Sequence, residues 1–523
     1  MKIVTIAEMR ELERQAEAKG VSNALLMDRA GRAVAQEVRD ALGGAAARKV
    51  VVLVGPGNNG GDGLVAARYL SDWGAEVEMY LLSSRGQDDP VYQAARQRRI
   101  SEVGPTDDNF IASLCASLSN ADAVLDAVLG TGHARPLSGL FQQALEAVSL
   151  NSEGRTKPLV VAVDLPSGLD ADTGALDPAT PTAHMTVSFG NPKHGHFRFP
   201  GAAAVGKLQV VDIGVPAGLD AHVLAEALTA AQIADSLPDR PLQANKGTFG
   251  RLLVVAGSRN YRGAAVLACR AALRVGAGLV TLAAPQSVVQ SIAGMVPEAT
   301  YLPLPETSGG VLAPNALDEL EDEFPRYDAT LIGCGLGQAP ETRRLVESLL
   351  LGDIVIPPKV VVDADALNIL AGIPAWWERF PQEAVLTPHP GEMARLLGKS
   401  VSQVQDDRLA VARSAAATWN KVVVLKGAFT VVATDRIRAG VSPYANPALA
   451  TAGTGDVLAG MVAGLLAQDC SLYAGASAGV FLHGLAGKRF AETRGNAGLI
   501  ASDLLDLLPN CIAAVRERSI NPW

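Results

Sequence analysis

The chain has 523 residues, too many for one hydrophobic core of ordinary size, so we expect two or three domains. Hydrophobic residues make up 48% and charged residues 19%, proportions that suit a packed globular protein. The chain has 45 basic and 54 acidic residues, so its net charge is −9, which argues against a nucleic-acid partner.

No uninterrupted apolar stretch reaches the ~18 residues that a membrane span requires. Charged residues near the start of the chain occupy the place where a signal peptide would be apolar. The five cysteines are scattered, odd in number and without metal-type spacing, which favours a reducing compartment. We therefore expect a cytoplasmic protein that has no membrane or nucleic-acid partner. A homo-oligomer that binds small molecules is also expected, although the sequence itself does not fix the oligomeric state.

The first elements in chain order are two helices. Thr5 and Glu8 form a capping box before a helix that ends near Gly20, and a second helix is predicted over 23–41. Runs of β-branched residues then alternate with helical patterns, and strands are predicted at 49–54, 123–126 and 159–164. This alternation predicts a doubly wound parallel sheet, a Rossmann-like three-layer α/β sandwich whose ligands bind beyond the carboxyl ends of the strands.

A glycine-rich segment, Gly-Pro-Gly-Asn-Asn-Gly-Gly-Asp-Gly at 55–63, follows the first of these strands. Its spacing satisfies the dinucleotide fingerprint, and Glu76 lies at a plausible distance for a ribose contact, so an ordinary dehydrogenase is one alternative. Asp62 argues against it, because we expect this residue in the first helical turn, where it would repel a pyrophosphate. A tight turn with Asx capping is another alternative for the segment taken alone.

Two further strands of this half end in carboxylates. Asp126 ends one strand and Asp164 ends another, and both are followed by glycine-containing loops. Because the carboxyl ends of parallel strands meet at one edge, we expect both residues and the segment at 55–63 to share a crevice. Each aspartate alone fits a helix cap. Together with the glycine-rich segment after a third strand, the two aspartates favour a binding site.

These segments resemble the NAD(P)H-hydrate epimerase family, through residues 58–63, 130–132, 164–170 and 212–216 together with Asp126. The resemblance implies that the substrate is bound by Asn58, Asn59, Gly60, Gly61, Asp62, Gly130, Thr131, Gly132, His133, Ala134, Arg135, Pro136 and Asp164. It also implies that Asn59, Asp126 and Ser167 hold a potassium ion, for which oxygen ligands are suited. We interpret Asp164 as the catalytic residue that moves a proton during epimerisation.

A connector of helix and loop is predicted near 216–242, and a second α/β unit follows it. Its strands are predicted at 251–256, 279–283, 329–332, 360–363, 384–387 and 422–425. Long Ala-rich helices are expected after Thr454. The predicted organisation is therefore a first domain at 1–220, a connector at 221–242 and a second domain at 243–515.

The second half carries its own glycine-rich segment, Thr-Ala-Gly-Thr-Gly-Asp at 451–456, before an apolar helix. Glycines let backbone N–H groups turn toward one point, and the helix N-terminus adds positive potential, which suits a phosphoryl group. Asp456 would then take a proton from a substrate hydroxyl. The alternative is a glycine-rich turn with a capping aspartate. Lys426 follows a predicted strand and suits nucleotide phosphates, and His389 stands between two prolines.

This half resembles the ribokinase-like α/β superfamily and, more narrowly, the ADP-dependent NAD(P)H-hydrate dehydratases. The matching segments are 245–250, 257–258, 263–264, 333–337, 363–367, 387–392, 426–427 and 453–456. The chain departs from the family pattern at Cys334, where a proline is expected, and at Asn245, where a histidine is more usual.

The resemblance implies a set of ligand contacts for the second half. Substrate is assigned to Ala264, Gly335, His389 and Asp456, with Asp456 also catalytic. Nucleotide is assigned to Lys426, Gly427, Ala428, Phe429, Thr430 and Gly455. Mg²⁺ is expected to arrive with ADP and to bridge its phosphates.

Together the two resemblances imply a bifunctional repair enzyme for hydrated nicotinamide cofactors. The first half would interconvert R- and S-NAD(P)HX, and the second would dehydrate the S form to NAD(P)H at the expense of ADP, which becomes AMP and phosphate. The alternative is a ribokinase-like vitamin kinase fused to a non-catalytic ligand-binding domain. A kinase would leave a stable phosphate ester, which separates the two.

Overall fold

A computed structural model of the chain describes residues 1–132, 136–152, 158–434 and 438–520. The chain divides into two compact units, which we call unit 1 (residues 1–223) and unit 2 (from residue 224 on). His133, Ala134 and Arg135, which the family resemblance assigns to substrate, lie outside the described residues.

Unit 1 is built on a seven-stranded parallel sheet with the order β3-β2-β1-β4-β5-β6-β7. Its strands are β1 (Lys49–Val54), β2 (Glu76–Leu81), β3 (Ser101–Val103), β4 (Ala123–Ala127), β5 (Leu159–Val163), β6 (Met185–Phe189) and β7 (Lys207–Val211). The predicted strand at 49–54 is confirmed in full, and those at 123–126 and 159–164 are confirmed to within one residue.

Helices cover both faces of this sheet. They are α1 (Ile6–Ala18), α2 (Asn23–Ala41), α3 (Asn58–Asp72), α4 (Pro90–Arg96), α5 (Phe110–Leu118) and α6 (Gly139–Asn151), with short 3-10 helices at His194–Phe197 and Gly201–Ala204. The predicted capping box is confirmed, because the Thr5 side chain accepts from the backbone of Glu8 while the Glu8 carboxylate accepts from the backbone of Thr5.

The strand β1 shows why the sheet is buried on both sides. It is almost entirely valine and leucine, as strands of a covered parallel sheet usually are. Val50 and Val52 pack with α2 and α3, whereas Val51 and Leu53 pack with α5 and α6 on the opposite face. Alternation along the strand therefore divides the core in two, and the predicted three-layer sandwich is confirmed for unit 1.

Unit 2 contains a ten-stranded sheet with the order β11-β10-β9-β12-β13-β14-β15-β16-β17-β8. Its strands are β8 (Ala225–Ala227), β9 (Arg251–Val255), β10 (Leu279–Pro285), β11 (Thr300–Leu304), β12 (Ala329–Ile332), β13 (Lys359–Val362), β14 (Glu383–Leu386), β15 (Val422–Leu425), β16 (Val431–Ala433) and β17 (Ala439–Val441). From β11 to β15 the neighbours are parallel, and β16 runs antiparallel to both of its neighbours.

The helices of unit 2 are more numerous. They are α7 (Ala230–Ser236), α8 (Arg262–Arg274), α9 (Gln286–Ile292), α10 (Ala316–Glu323), α11 (Pro340–Leu351), α12 (Ala364–Leu370), α13 (Trp376–Arg379), α14 (Pro390–Leu397), α15 (Val401–Asp406), α16 (Arg408–Trp419), α17 (Thr454–Ala467), α18 (Leu472–Arg494) and α19 (Ala501–Arg516). Short 3-10 helices lie at Lys246–Phe249, Ala293–Met295, Phe324–Arg326 and Pro447–Leu449.

The helix α17 is the centre of the unit 2 core. It packs against α8, α18 and the strands β12 and β13, and all of its residues except Gly455 and Asp456 are buried. Gly460 allows the close approach to α8, since a Cβ there would lie 2.2 Å from the carbonyl oxygen of Ala268. The long helices expected after Thr454 are thereby confirmed.

The segment predicted to be a connector belongs structurally to unit 2. Its strand β8 pairs with β17, and its helix α7 packs against α18 and α19. Leu228 and Ile233 are buried in the unit 2 core. The weak periodicity of a three-residue strand and a seven-residue helix hides this packing from the sequence.

Within the described residues, helices that are both long and apolar enough to cross a membrane are absent.

Candidate active sites

The glycine-rich segment of unit 1 is mostly helix. Only residues 55–57 form a loop, and α3 starts at Asn58. The glycines serve close packing: a Cβ on Gly60 would lie 2.1 Å from the carbonyl oxygen of Gly55, and one on Gly63 would lie 2.4 Å from Cβ of Ala127. Arg85 holds the loop by donating to the carbonyl oxygens of Gly55 and Gly57.

The expectation that Asp62 stands in the first turn of this helix is wrong. Because α3 begins at Asn58, Asp62 is its fifth residue and is buried. Burial, with the nearby charges of Asp164 and Glu13, raises the pKa of Asp62 well above its ordinary value. Anion repulsion at the helix start therefore does not exclude a dinucleotide there.

The position of Glu76 argues against a dehydrogenase instead. Glu76 pairs with Lys49 at the amino end of β1, whereas the glycine loop follows the carboxyl end, where Val54 pairs with Leu81. These two residue pairs are five residues apart along β1, a distance of about 16 Å. Glu76 is thus at the wrong edge of the sheet for a ribose contact.

Asp126 and Ser167 meet at the carboxyl edge of the sheet, as predicted. The Asp126 carboxylate is 1% exposed and accepts from both the backbone N–H (2.8 Å) and the hydroxyl (2.5 Å) of Ser167. The Ser167 hydroxyl oxygen also accepts from the backbone N–H of Leu129 at 2.8 Å. Burial raises the pKa of Asp126, and the hydrogen bonds from Ser167 partly offset that effect.

Asn59 joins this group from α3. Its side chain lies against Gly130, where an added Cβ would come within 3.3 Å of the Asn59 side-chain oxygen. Asn59 is 8% exposed, and its side-chain nitrogen is buried without a hydrogen-bond partner in the structure. The oxygens of Asn59, Asp126 and Ser167 form a donor set that fits a hard monovalent cation such as potassium. Thr131 and Gly132 continue toward the surface, and Pro136 is exposed.

Asp164 directly follows β5 and has a left-handed backbone, with φ of 64°. Its carboxylate forms a buried ion pair with Lys193 and accepts from the backbone N–H of Phe189 at 3.1 Å. Lys193 is 1% exposed and also donates to the hydroxyl of Ser188. The Asp164 carboxyl group is therefore held by the Lys193 side chain in a buried environment.

Lys193 and Glu13 are the residues of this site that the sequence analysis did not assign. Lys193 stands in a Pro-Lys-His-Gly-His stretch, and nothing in its spacing relates it to Asp164. The neighbouring His196 is buried, and burial together with the Lys193 charge lowers its pKa to about 3. Burial raises the pKa of Glu13, and the charge of Asp164 adds to this effect. Asp62 and Glu13 thus both lie close enough to the Asp164–Lys193 pair for its charges to shift their pKa.

In unit 2 the site again lies at the carboxyl edge of a parallel sheet. The strands β9, β12, β13 and β14 end in register, with Ile332 beside both Val255 and Val362, and Val362 beside Leu386. The residues that follow these ends and that of β15 carry the functional side chains. They are Ser258, Cys334, Asp363, Thr387 and Lys426.

Asp363 is the centre of this edge and had no predicted role. Its carboxylate is 1% exposed and accepts from Thr387 Oγ1 at 2.6 Å and from Lys426 Nζ at 2.7 Å. The Cys334 thiol lies 3.6 Å from its other oxygen. The Asp-Ala-Asp segment at 363–365 is the sequence signal that contains it, and Asp365 there accepts from the backbone N–H of Gly337.

Asp456 lies in the first turn of α17, whose first residue follows Gly453 with φ of 88°. The N-cap residue of this helix, Gly453, has no side chain to cap the first-turn amides, so the helix N-terminus can receive an anion. Lys426 reaches the same place: its Nζ would be 3.4 Å from a Cβ on Gly455. Burial and the charge of Asp363 raise the pKa of Asp456 to about 6.

Ala264 and Gly335, both expected at the substrate, are neighbours. A Cβ on Gly335 would lie 3.0 Å from Cβ of Ala264, and Gly335 has φ of 65°, which favours glycine. The Ser258 hydroxyl donates to the carbonyl oxygen of Gly335 at 2.8 Å. The chain at 333–337 is thus held against the start of α8.

His389 caps α14. Its Nδ1 accepts from the backbone N–H of Gly391 at 3.0 Å, and the Glu392 carboxylate accepts from the backbone N–H of His389 at 2.8 Å. Glu392 is buried 3.8 Å from Lys426 Nζ, and burial raises its pKa to about 7. Half of the His389 side chain remains exposed, so the ring combines a structural role with access to a ligand.

The residues expected at the nucleotide form the connection from β15 to β16. Lys426 turns inward to Asp363, whereas Gly427 has φ of 140° and Phe429 φ of 51°. The Thr430 hydroxyl donates to the carbonyl oxygen of Gly427. Ala428 lies at the exposed tip of this turn, and Arg408 supports its base through the carbonyl oxygens of Leu425 and Lys426.

Comparisons with known proteins give the same division of the chain. The family described as NAD(P)H-hydrate dehydratase matches residues 252–510, and the family described as YjeF-related protein N-terminus matches residues 23–195. Among solved structures, one titled as an ADP/ATP-dependent NAD(P)H-hydrate dehydratase from Bacillus subtilis, co-crystallised with ATP and Mg²⁺, is 32% identical. It covers 55% of this chain and 98% of its own, with a TM-score of 0.48.

Several relatives match along nearly the whole length. The bifunctional NAD(P)H-hydrate repair enzyme Nnr of Moorella thermoacetica is 41% identical over 528 residues, covering 99% of this chain and 98% of the relative. The enzyme of the same name from Thermofilum pendens is 38% identical over 523 residues, covering 99% and 97%. The chain belongs to the family of bifunctional NAD(P)H-hydrate repair enzymes.

Proposed function

We propose that this chain repairs hydrated nicotinamide cofactors with two active sites. Unit 1 interconverts R- and S-NAD(P)HX, and unit 2 dehydrates the S form to NAD(P)H with ADP. The observation that supports this most strongly is the end-to-end similarity to bifunctional repair enzymes, combined with an aspartate beside a lysine at the carboxyl edge of the sheet in each unit. Epimerisation gives the dehydratase access to the whole hydrate pool.

In unit 1, Asp164 is the proposed proton carrier. Epimerisation requires a bond at the hydrated carbon to break and reform, and a positioned carboxylate accelerates proton transfer by about 10²–10⁴-fold. Lys193 holds Asp164 in place and balances its charge in the buried site. Asn58, Asn59, Gly60, Gly61, Asp62, Gly130, Thr131, Gly132 and Pro136 are the proposed substrate contacts among the described residues.

We propose that Asn59, Asp126 and Ser167 hold K⁺, since the buried Asp126 carboxylate is hydrogen-bonded to Ser167 and Asn59 lies against Gly130, four residues after Asp126. A bound K⁺ would supply positive potential at the substrate-binding edge. Replacing K⁺ by Na⁺ in the buffer is expected to lower the epimerisation rate and to leave dehydration of pure S hydrate unchanged. An epimerase indifferent to the cation would contradict this assignment.

In unit 2, the substrate's ring hydroxyl is proposed to attack the terminal phosphorus of ADP. The new oxygen–phosphorus bond forms as the bond to AMP breaks, and Asp456 takes the hydroxyl proton. The carbon–oxygen bond then breaks, phosphate leaves with the bonding pair, and the ring nitrogen supplies electrons. Loss of a proton from the adjacent carbon gives NAD(P)H.

The groups of this chain that support the transfer are the amides at the start of α17 and the ammonium of Lys426, which lies beside Gly455. Lys426, Gly427, Ala428, Phe429 and Thr430 are the proposed nucleotide contacts together with Gly455. Ala264, Gly335 and His389 are the proposed substrate contacts. Mg²⁺ bound to ADP would neutralise phosphate charge, and the carboxylates at this edge, Asp363 and Glu392, are of the oxygen-ligand type that it accepts.

One experiment tests both halves. The purified chain receives mixed R and S hydrate with ADP, Mg²⁺ and K⁺, and the absorbance of reduced cofactor and the amount of AMP are followed. We expect complete recovery with one AMP per cofactor restored. A stable phosphate ester without recovered cofactor would instead establish a kinase.

Variants assign the two reactions to the two sites. Asp164→Asn should still dehydrate the S hydrate while R hydrate persists, and asparagine is suited to the positive φ at this position. Asp456→Asn should still interconvert R and S but restore no reduced cofactor. If Asp164→Asn epimerised the R hydrate at the wild-type rate, Asp164 would not be the proton carrier.

The cytoplasmic location and the homo-oligomeric state are part of the same proposal. All five cysteines are free thiols, as expected in a reducing compartment. Light scattering of the purified chain measures its assembly directly, and a mass equal to one chain would contradict the homo-oligomer.

A further inference from the structure

Three potential metal ligands from different elements of unit 2 meet at one point. Cys334 follows β12, Asp363 follows β13, and Asp456 lies in the first turn of α17. Their ligand atoms all lie within 4.8 Å of one another, and no other group of this kind occurs in the part of the chain that the structure describes. We call these residues the thiol–carboxylate cluster.

The spacing within this cluster matches that of a zinc coordination shell. The Cys334 Sγ atom lies 3.6 Å from Asp363 Oδ2. In a tetrahedral zinc site, bonds of ~2.3 Å to sulfur and ~2.1 Å to oxygen place these two ligand atoms about 3.5 Å apart. Two of the three ligands thus already stand at the required separation.

The charge around the cluster also fits a divalent cation. A metal-bound thiolate and two carboxylates carry three negative charges, and Lys426 offsets one of them through Asp363 Oδ1 at 2.7 Å. That ion pair leaves Asp363 Oδ2 turned toward the thiol. Because thiolate is a soft ligand, the set favours Zn²⁺ or Cd²⁺ over Mg²⁺.

An ion can enter the cluster from one side. Cys334 and Asp363 are buried, whereas Asp456, the proposed substrate contact, is only partly buried and so accessible to an ion from solvent. A cation bound to all three residues would therefore occupy the side chain that takes the hydroxyl proton.

We propose that Cys334, Asp363 and Asp456 form a binding site for a thiophilic divalent cation such as Zn²⁺, and that this ion inhibits the dehydratase reaction by occupying Asp456. The inhibition rests on the proposed function, but the binding does not.

Binding is tested on the full chain without ADP. Cd²⁺ titration should produce a thiolate-to-cadmium charge-transfer band in the ultraviolet, and equilibrium dialysis should find one Zn²⁺ per chain. Cys334→Ser should abolish the band and weaken Zn²⁺ binding by about 100-fold or more, since loss of even outer-shell partners costs about 10–100-fold. Cys115→Ser, which removes a half-buried thiol of unit 1, is the matched control and should bind as wild type.

Activity measurements distinguish a failure of the metal site from a failure of the proposed function. Free Zn²⁺ set at its dissociation constant should halve the dehydration of S hydrate and leave R/S interconversion unchanged. Absence of the cadmium band in the wild-type chain, or equal Zn²⁺ binding by wild type and Cys334→Ser, would overturn the site. Should Cys334→Ser fail to fold, Asp456→Asn must weaken Zn²⁺ binding instead. A cadmium band in a chain without dehydratase activity would leave the site standing and refute the proposed function.

Discussion

At the scale of single residues, each site places an aspartate near a lysine, fully buried in unit 1 and partly buried in unit 2. Asp164 contacts Lys193 directly, whereas Asp456 shares Lys426 with Asp363, which holds the ammonium at 2.7 Å. The lysine thus balances Asp164 fully and Asp456 only in part. This difference has measurable consequences for stability and for pH dependence.

Replacing Lys193 by methionine should destabilise unit 1 by about 3–5 kcal/mol, because the Asp164 carboxylate would remain buried without its partner. Urea titration, with hydrogen exchange of the β4 and β5 amides as the readout, measures this loss. The double variant Lys193→Met with Asp164→Asn removes both charges and should recover much of the stability. A single variant as stable as wild type would show that the ion pair is not what keeps Asp164 in place.

The pH dependence of dehydration should report Asp456. Its pKa is raised to about 6, and the proposed reaction needs the ionised carboxylate as base. The value of kcat/KM for the S hydrate should therefore fall about tenfold per unit as pH drops below about 6, and level off above it. The pH profile of epimerisation serves as the control. A dehydration rate that is flat from pH 5 to 8 would contradict the assignment.

At the scale of elements, α3 and α17 both start beside the carboxyl edge of a sheet, where we propose that ligands bind. Their glycines serve different purposes. In α3 they allow close packing, since Gly60 meets the backbone of Gly55 and Gly63 meets Ala127. In front of α17, Gly453 supplies a left-handed backbone that directs the first amides. A glycine-rich sequence therefore indicates a site but does not show whether its glycines provide close packing or a left-handed backbone.

Gly60→Ala should destabilise unit 1 and impair epimerisation, although alanine ordinarily favours a helix by about 1 kcal/mol over glycine. The added Cβ would lie 2.1 Å from the Gly55 carbonyl oxygen, so α3 must move away from the loop. Gly57→Ala is the matched control, because nothing lies within 4 Å of its Cβ and its φ is −92°. The melting temperature and the epimerisation rate of both variants measure this effect. If Gly60→Ala matched Gly57→Ala in both, the packing role of Gly60 would be contradicted.

At the scale of the whole molecule, the division into units 1 and 2 predicts where the chain can be cut. Unit 2 includes residues 224–242, which contain β8 and α7 and the buried side chains of Leu228, Ile233 and Leu237. Cutting at the predicted domain start, residue 243, removes these elements from the second unit. Each such side chain contributes about 1.5–3 kcal/mol by its burial.

A fragment of residues 224–523 should therefore fold and dehydrate the S hydrate, whereas one of residues 243–523 should unfold at least about 10 °C lower or fail to fold. Residues 1–223 alone should interconvert R and S hydrate. Circular dichroism melting and the two activity assays measure these outcomes. Equal stability of the two C-terminal fragments would show that β8 and α7 are dispensable.

The α/β class, the helix start at Thr5 and the valine-rich strand β1 could be predicted from the amino-acid sequence, because local periodicity and capping express these features directly. The sequence also located the strand-end aspartates and the glycine segments. Short strands such as β3, β8 and β17 could not be predicted, since three residues are too few to show a period of alternating hydrophobicity.

Which charged groups come into contact depends on the folding of distant segments onto one another. Lys193 reaches Asp164 across 29 positions of chain and Lys426 reaches Asp363 across 63, distances at which no local pattern operates. The same holds for Cys334, whose proximity to two carboxylates follows from the register of β12 and β13 and the packing of α17. Burial in a shared crevice, rather than residue type, determines the electrostatics of both sites.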